Sequence, residues 1–181
     1  MEPSDRKSDG LPSASVDPRE ADAALADAGD IVARAAADEA AADAARARIR
    51  REGLRALAPD ERVAPLLEPG ELLVAIHHAA LLERREPGPG QHITTGVAGE
   101  LYVTSRRLVL IGRLTLSFEL DAIADAVVSG ERLLLVLRDG HGVALQVAEP
   151  RLLWVEIAAA RARARSAQDP GATAGPQPAA R

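Results

Sequence analysis

The chain has 181 residues, a net charge of −5 and no cysteine. Disulfides and thiolate metal sites are therefore excluded, and a general nucleic-acid binder, whose affinity rests on excess cations, is not expected. Aromatic residues make up only 2%, with one each of Trp, Tyr and Phe, so a core must be built from Leu, Val, Ile and Ala.

Residues 1–16 are Ser, Pro, Asp and Gly with little to bury and are expected to form a disordered tail. They hold no apolar run after Glu2, Asp5, Arg6 and Lys7, so they do not read as a signal peptide. No stretch reaches the roughly 18 apolar residues of a membrane span. A cytoplasmic protein is expected.

Residues 17–57 read as an alanine-rich helical extension. Asp17 can cap, Pro18 suits the first helical position, and Glu20 completes a capping-box-like pair. Alanine dominates to about Arg51, Gly29-Asp30 is a candidate interruption, and Gly53 is a candidate stop. Acids from Glu20 to Asp43 precede the arginines from Arg46 to Arg55, an order that complements the helix dipole. Leu25 and Val32 start a heptad that lands next on Glu39 and Arg46, so no coiled-coil seam survives. A solvated helix is the expected state, with a partner-binding helix as the alternative.

Ala58-Pro59-Asp60-Glu61 resembles a second helix start, giving a short helix through Leu67 that the turn Glu68-Pro69-Gly70-Glu71 ends. Strands are then expected at 72–82, 97–104, 108–112, 115–119, 123–128, 133–137 and 143–147. Short glycine-bearing connections at Gly112-Arg113, Ser129-Gly130 and Asp139-Gly140-His141-Gly142 make the set an antiparallel meander. A final helix is expected from Arg151 to about Arg165, with Leu153, Ile157 and Ala160 on one face. Tyr102, Leu108, Leu110, Leu134, Val136, Leu153 and Ile157 are expected to share one buried cluster. Residues 166–181 are Gly, Pro and Ala with almost no bulky side chain, and are expected to form a second disordered tail.

The segment Gly99-Glu-Leu-Tyr-Val-Thr-Ser-Arg-Arg-Leu108 resembles the hairpin core of the bacterial pleckstrin-homology-like and GRAM-type domain family. Glu68-Pro-Gly-Glu71 and Arg132-Leu-Leu-Leu-Val-Leu-Arg-Asp-Gly140 resemble two further motifs of that family. The single lysine, Lys7, and the absence of asparagine fit a high-GC, actinobacterial type of genome. The resemblance implies an α+β fold: a PH-like, partly open barrel of about seven antiparallel strands capped by a C-terminal helix, spanning residues 58–165 and preceded by the alanine-rich helix. In the family, the loops after strands one, three and six cluster at the open mouth. Those positions here present Arg84, Arg85, His92, Arg113, Arg138 and His141, the candidate ligand- or lipid-binding residues. Glu83, Glu86 and Asp139 sit among them, and strand two, Val97-Ala-Gly-Glu-Leu-Tyr-Val103, lacks the basic residues of phosphoinositide-binding members.

Catalytic and metal signatures are missing. His77 and His78 are strand neighbours and point to opposite faces, so they cannot chelate one ion together. His92 and His141 fall in expected loops without acidic residues at ligand spacing. Gly88-Pro-Gly90 followed by Gly96 lacks both a fingerprint and a following helix, so it reads as a loop rather than a phosphate cradle. No cofactor and no enzymatic activity are expected. The reading is a non-catalytic module for a protein or peptide partner, using an open sheet edge and the groove beside the last helix. The alternative is a peripheral module binding anionic lipid headgroups through loop arginines.

Overall fold

The computed structural model describes residues 18–85 and 92–168, with side chains over 27–84 and 96–166. Asp17, both expected tails beyond these bounds and the Glu86–Gln91 connection lie outside the described residues. Helix α1 spans Pro18–Glu52 without a break at Gly29, whose cost of about 1 kcal/mol relative to alanine is tolerated in so alanine-rich a context. Gly53 ends it as expected: at φ 74° its N–H donates to the Ile49 carbonyl at 2.9 Å. The expected helix at 58–67 is only a 3-10 turn, Ala64–Leu66, because Asp60 takes the N–H groups of Arg62 and Val63 into a local turn.

Seven antiparallel strands follow: β1 Leu73–Arg85, β2 His92–Thr104, β3 Arg107–Gly112, β4 Thr115–Glu119, β5 Ile123–Ser129, β6 Arg132–Leu137 and β7 Gly142–Val147. They form one sheet in the order β4-β3-β2-β1-β7-β6-β5, and helix α2, Pro150–Gln168, closes the described fold. β1 pairs with β2 along most of its length and with β7 from Ala79 onward, so it joins the two halves of the sheet. β4 and β5 are the edges, and the barrel stays open. The first two strands run past the expected ends, and His92 opens β2 instead of lying in a loop. Gly99 and Gly112 face each other across β2 and β3. A Cβ on Gly99 would meet the Ile111 carbonyl oxygen, and one on Gly112 the Ala98 carbonyl oxygen, each at 2.2 Å. Glycine is required at both positions by close backbone approach.

The main core lies on the face that α2 covers. Leu101, Val103, Leu108, Leu110, Leu133, Leu135, Leu153 and Ile157 belong to it. Three members of the expected cluster are placed elsewhere. Tyr102 points to the opposite face and packs with Val63, Leu73 and Val109 beneath the 57–67 segment. Leu134 and Val136 point outward at 37% and 46% exposure, while Leu133 and Leu135 are buried. In the apolar run of β6 the face is set by pairing register, and a one-residue offset exchanges the two faces.

The chain divides into two compact units, residues 1–34 and residues 35–181. Within the first, the described side chains include Ile31 and Val32, both exposed. Within the second, Ala42, Ala45 and Ile49 of α1 pack on Leu152 and Val155 of α2. The expectation of a solvated helix is thus corrected for residues 35–52. Asp38, 2% exposed, accepts the N–H groups of Arg151 at 3.0 Å and Leu152 at 3.1 Å, so α2 is capped from a residue on another helix. Its carboxylate also lies 3.3 Å from the Arg151 guanidinium. Asp38→Ala should therefore destabilise the unit by about 1–2 kcal/mol, the scale of a lost cap, in urea denaturation. A change indistinguishable from zero would mean the cap does not form in solution.

Candidate functional site

The pairing register brings Arg84, Arg85 and His92 together and sets Gly142, the neighbour of His141, beside Arg85, whereas Arg113 follows β3 farther along the sheet. Arg84 and Arg85 pair with Ile93 and His92 at the far end of the β1–β2 ribbon, and Arg85 also aligns with Gly142. The side chains of Arg85 and His92 lie outside the described residues. Arg113 follows Gly112, which aligns with Gly99. Gly99 is seven residues from His92 along β2, about 23 Å of strand. Arg138 folds toward the β4–β5 connection, its Nε donating to the Asp121 carbonyl at 2.7 Å. His141 turns back on Asp139: its N–H donates to Oδ1 at 3.0 Å and its Nδ1 lies 2.9 Å from Oδ2. These two contacts hold the Asp139 carboxyl below its ordinary value.

Several polar residues that stand out in the sequence have structural roles. Glu71, whose side chain is fully buried, accepts Arg107 Nε at 3.1 Å, Arg107 Nη2 at 3.0 Å, Thr104 Oγ1 at 2.6 Å and the Glu68 N–H at 2.9 Å. This network ties the Glu68–Glu71 turn to the β2–β3 hairpin. The Tyr102 hydroxyl lies 2.9 Å from Asp60 Oδ2 and 2.8 Å from Glu100 Oε2 and donates to one of them at a time. Burial first, then these two carboxylates, push its ionisation well above the ordinary tyrosine value. The Val63 N–H above all, helped by Tyr102 and opposed by burial, holds Asp60 below the usual aspartate value. His77 and His78 separate as the strand alternation requires. His78 is exposed, while His77 Nε2 bonds Glu156 Oε2 at 2.6 Å beneath α2.

The sheet edge offers a different surface. β5 pairs only with β6, so its outer side has no strand partner among the described residues. Ala126 and Val128 face the core, and Val127 points outward at 54% exposure. Val127 aligns with Leu134, and Asp125 with Val136, so three exposed apolar side chains form a patch along this edge. α2 closes the inner side, where Arg161 Nη2 donates to the Ile123 carbonyl at 2.6 Å. Sequence reasoning assigned Leu134 and Val136 to the core and passed over Arg161. Asp125 and Ser129, polar at two-residue spacing on either side of Val127, were the available signal for an outward face.

No protein-family model matches the chain, and no curated protein matches it significantly. Among solved structures it is similar to the C-terminal domain of an unknown protein from Leishmania infantum, with 18% identity and a TM-score of 0.34 over 46% of this chain and 75% of that one. It is also similar to the N-terminal PH domain of human ARAP2, with 15% identity and a TM-score of 0.32 over 59% of this chain and 89% of that one.

Proposed function

We propose that the domain is a non-catalytic module that binds a protein or peptide partner by strand addition along β5. The observation that carries this reading is the unpaired outer side of β5 beside the exposed Val127, Leu134 and Val136. Backbone N–H and C=O groups along such an edge supply affinity, and alternating side chains supply selectivity. The non-catalytic part rests on the lack of a nucleophile or metal-ligand motif in the sequence. A bacterial origin, a cytoplasmic setting and GRAM-type membership belong to the same proposal and rest on residue usage and the quoted motifs. No described helix is long and apolar enough to cross a membrane.

The test is a peptide-library selection against the full chain, followed by amide hydrogen exchange with a selected peptide. Amides of 124–128 should gain protection, and Val127→Lys should abolish binding. That substitution should shift stability by no more than about 0.5 kcal/mol, because the site is exposed. Protection confined to the ends of the β1–β2 and β6–β7 hairpins would defeat the β5 reading and favour the lipid-facing loops instead.

A further inference from the structure

A cavity of about 610 Å³ opens where the β2–β3 turn, the β4–β5 connection and the C-terminal part of α2 meet. Its charged lining is Arg106, Arg161, Arg163 and Arg165 against Glu119 and Asp121. These groups are unequally committed. Arg106 is bound to Glu68 at 2.6 Å. Arg161 spends one Nη on the Ile123 carbonyl, while its Nε is buried with no acceptor. Arg163 and Arg165 have no carboxylate partner among the described residues.

With Arg106 paired to Glu68, three arginines face two acids across the cavity, a formal balance of +1. Burial pushes the Glu119 carboxyl above its ordinary value, with Arg107 pulling it down and Asp121 pushing it further up. Arg161 is held below the ordinary arginine value by burial, then by the charges of Arg165 and Arg138, which Asp121 only partly offsets. A helix C-terminus attracts cations, but that effect fades within the last turn and accounts only for Arg165. Arg161 and Arg163 lie earlier, and spacing by four places Arg161 and Arg165 on one face. An acidic chain therefore gathers arginines around one cavity.

We propose that this cavity is an oxyanion site for a phosphate-bearing ligand, held by Arg161 and Arg165 with Arg163 at the rim. Guanidinium groups match the geometry of phosphate oxygens and form charge-assisted bonds to them. The site lies away from the Arg84–Arg85 end of the β1–β2 ribbon and does not depend on strand addition at β5.

The test titrates the full chain with inorganic pyrophosphate at neutral pH and fixed ionic strength, by calorimetry and by the NMR signals of the arginine Nε–H groups. One saturable site with a Kd below about 1 mM is expected, with the Arg165 Nε–H signal shifting. Arg165→Gln and Arg163→Gln sit on exposed positions, and each should weaken binding by about tenfold with the fold unchanged. Arg161→Gln should abolish binding, and because it also removes the bond to Ile123, the two exposed variants carry the result. Arg84→Gln should leave affinity unchanged. Titration with inorganic phosphate separates the two ligand sizes: equal affinity assigns the site to a single phosphoryl group, and tighter pyrophosphate assigns it to a diphosphate. Absence of saturable binding, unchanged affinity in Arg165→Gln, or loss of binding in Arg84→Gln would overturn the proposal.

Discussion

Glu71→Gln should destabilise the folded unit by about 3–5 kcal/mol at neutral pH, the scale for removing one member of a buried ion pair. Glu71 receives four donors on two carboxylate oxygens, including both arms of the Arg107 fork. Glutamine keeps one acceptor oxygen and turns an NH₂ group toward donors. The Arg107 guanidinium, whose side chain is only 18% exposed, would then keep only the looser pairing with Glu68 at 3.7 Å. The pH dependence has a defined sign. Burial opposes ionisation of Glu71, but the bonds from Glu68, Thr104 and Arg107 outweigh it and hold the carboxyl below its ordinary value. A folded value below the unfolded one means the contribution is present above the unfolded glutamate pKa of about 4.3 and lost as pH falls through the folded value. Urea denaturation across that acid range should show the wild type losing stability more steeply than Glu71→Gln. Parallel curves, or a loss below about 1 kcal/mol at neutral pH, the scale of one ordinary hydrogen bond, would mean that the pair contributes little.

Ile157→Ala should destabilise the unit by about 2–5 kcal/mol, because the side chain is fully buried and its removal leaves a cavity between α2 and the sheet. It belongs to the same cluster as Leu153, Ala160, Leu133 and Leu135, so the loss falls where the helix meets the inward face of β6. Val136→Ala is the internal comparison. At 46% exposure it should shift stability by no more than about 0.5 kcal/mol, although a face assignment from sequence would rank the two residues alike. Equal losses at the two sites would contradict the register of β6.

The sequence by itself determined the identity and order of nearly all the elements. Strand alternation, the turns at Ser129-Gly130 and Asp139-Gly140, and the apolar stripe of Leu153, Ile157 and Ala160 are local signals with periods of two and 3.6 residues. Gly53 and the Glu68–Glu71 turn were legible for the same reason: each acts through its own few residues. The short helix expected near Ala58 was not formed, because Asp60 bonds nearby backbone donors and Tyr102, a strand residue distant in sequence. Only the tertiary structure decided which face of Leu133-Leu-Leu-Val-Leu137 is buried, since every residue in that run is apolar and alternation carries no information there. It also decided that Asp38 caps α2 across 113 residues and that His77 meets Glu156 across 79. The charged cavity is of the same kind. Arg161, Arg163 and Arg165 read in sequence as an ordinary solvated helix end, and they acquire a common surface only when the β4–β5 connection and the β2–β3 turn are brought against them. Short-range periodicity specifies elements, whereas faces, caps and sites depend on pairings between distant segments, which are set by register and packing.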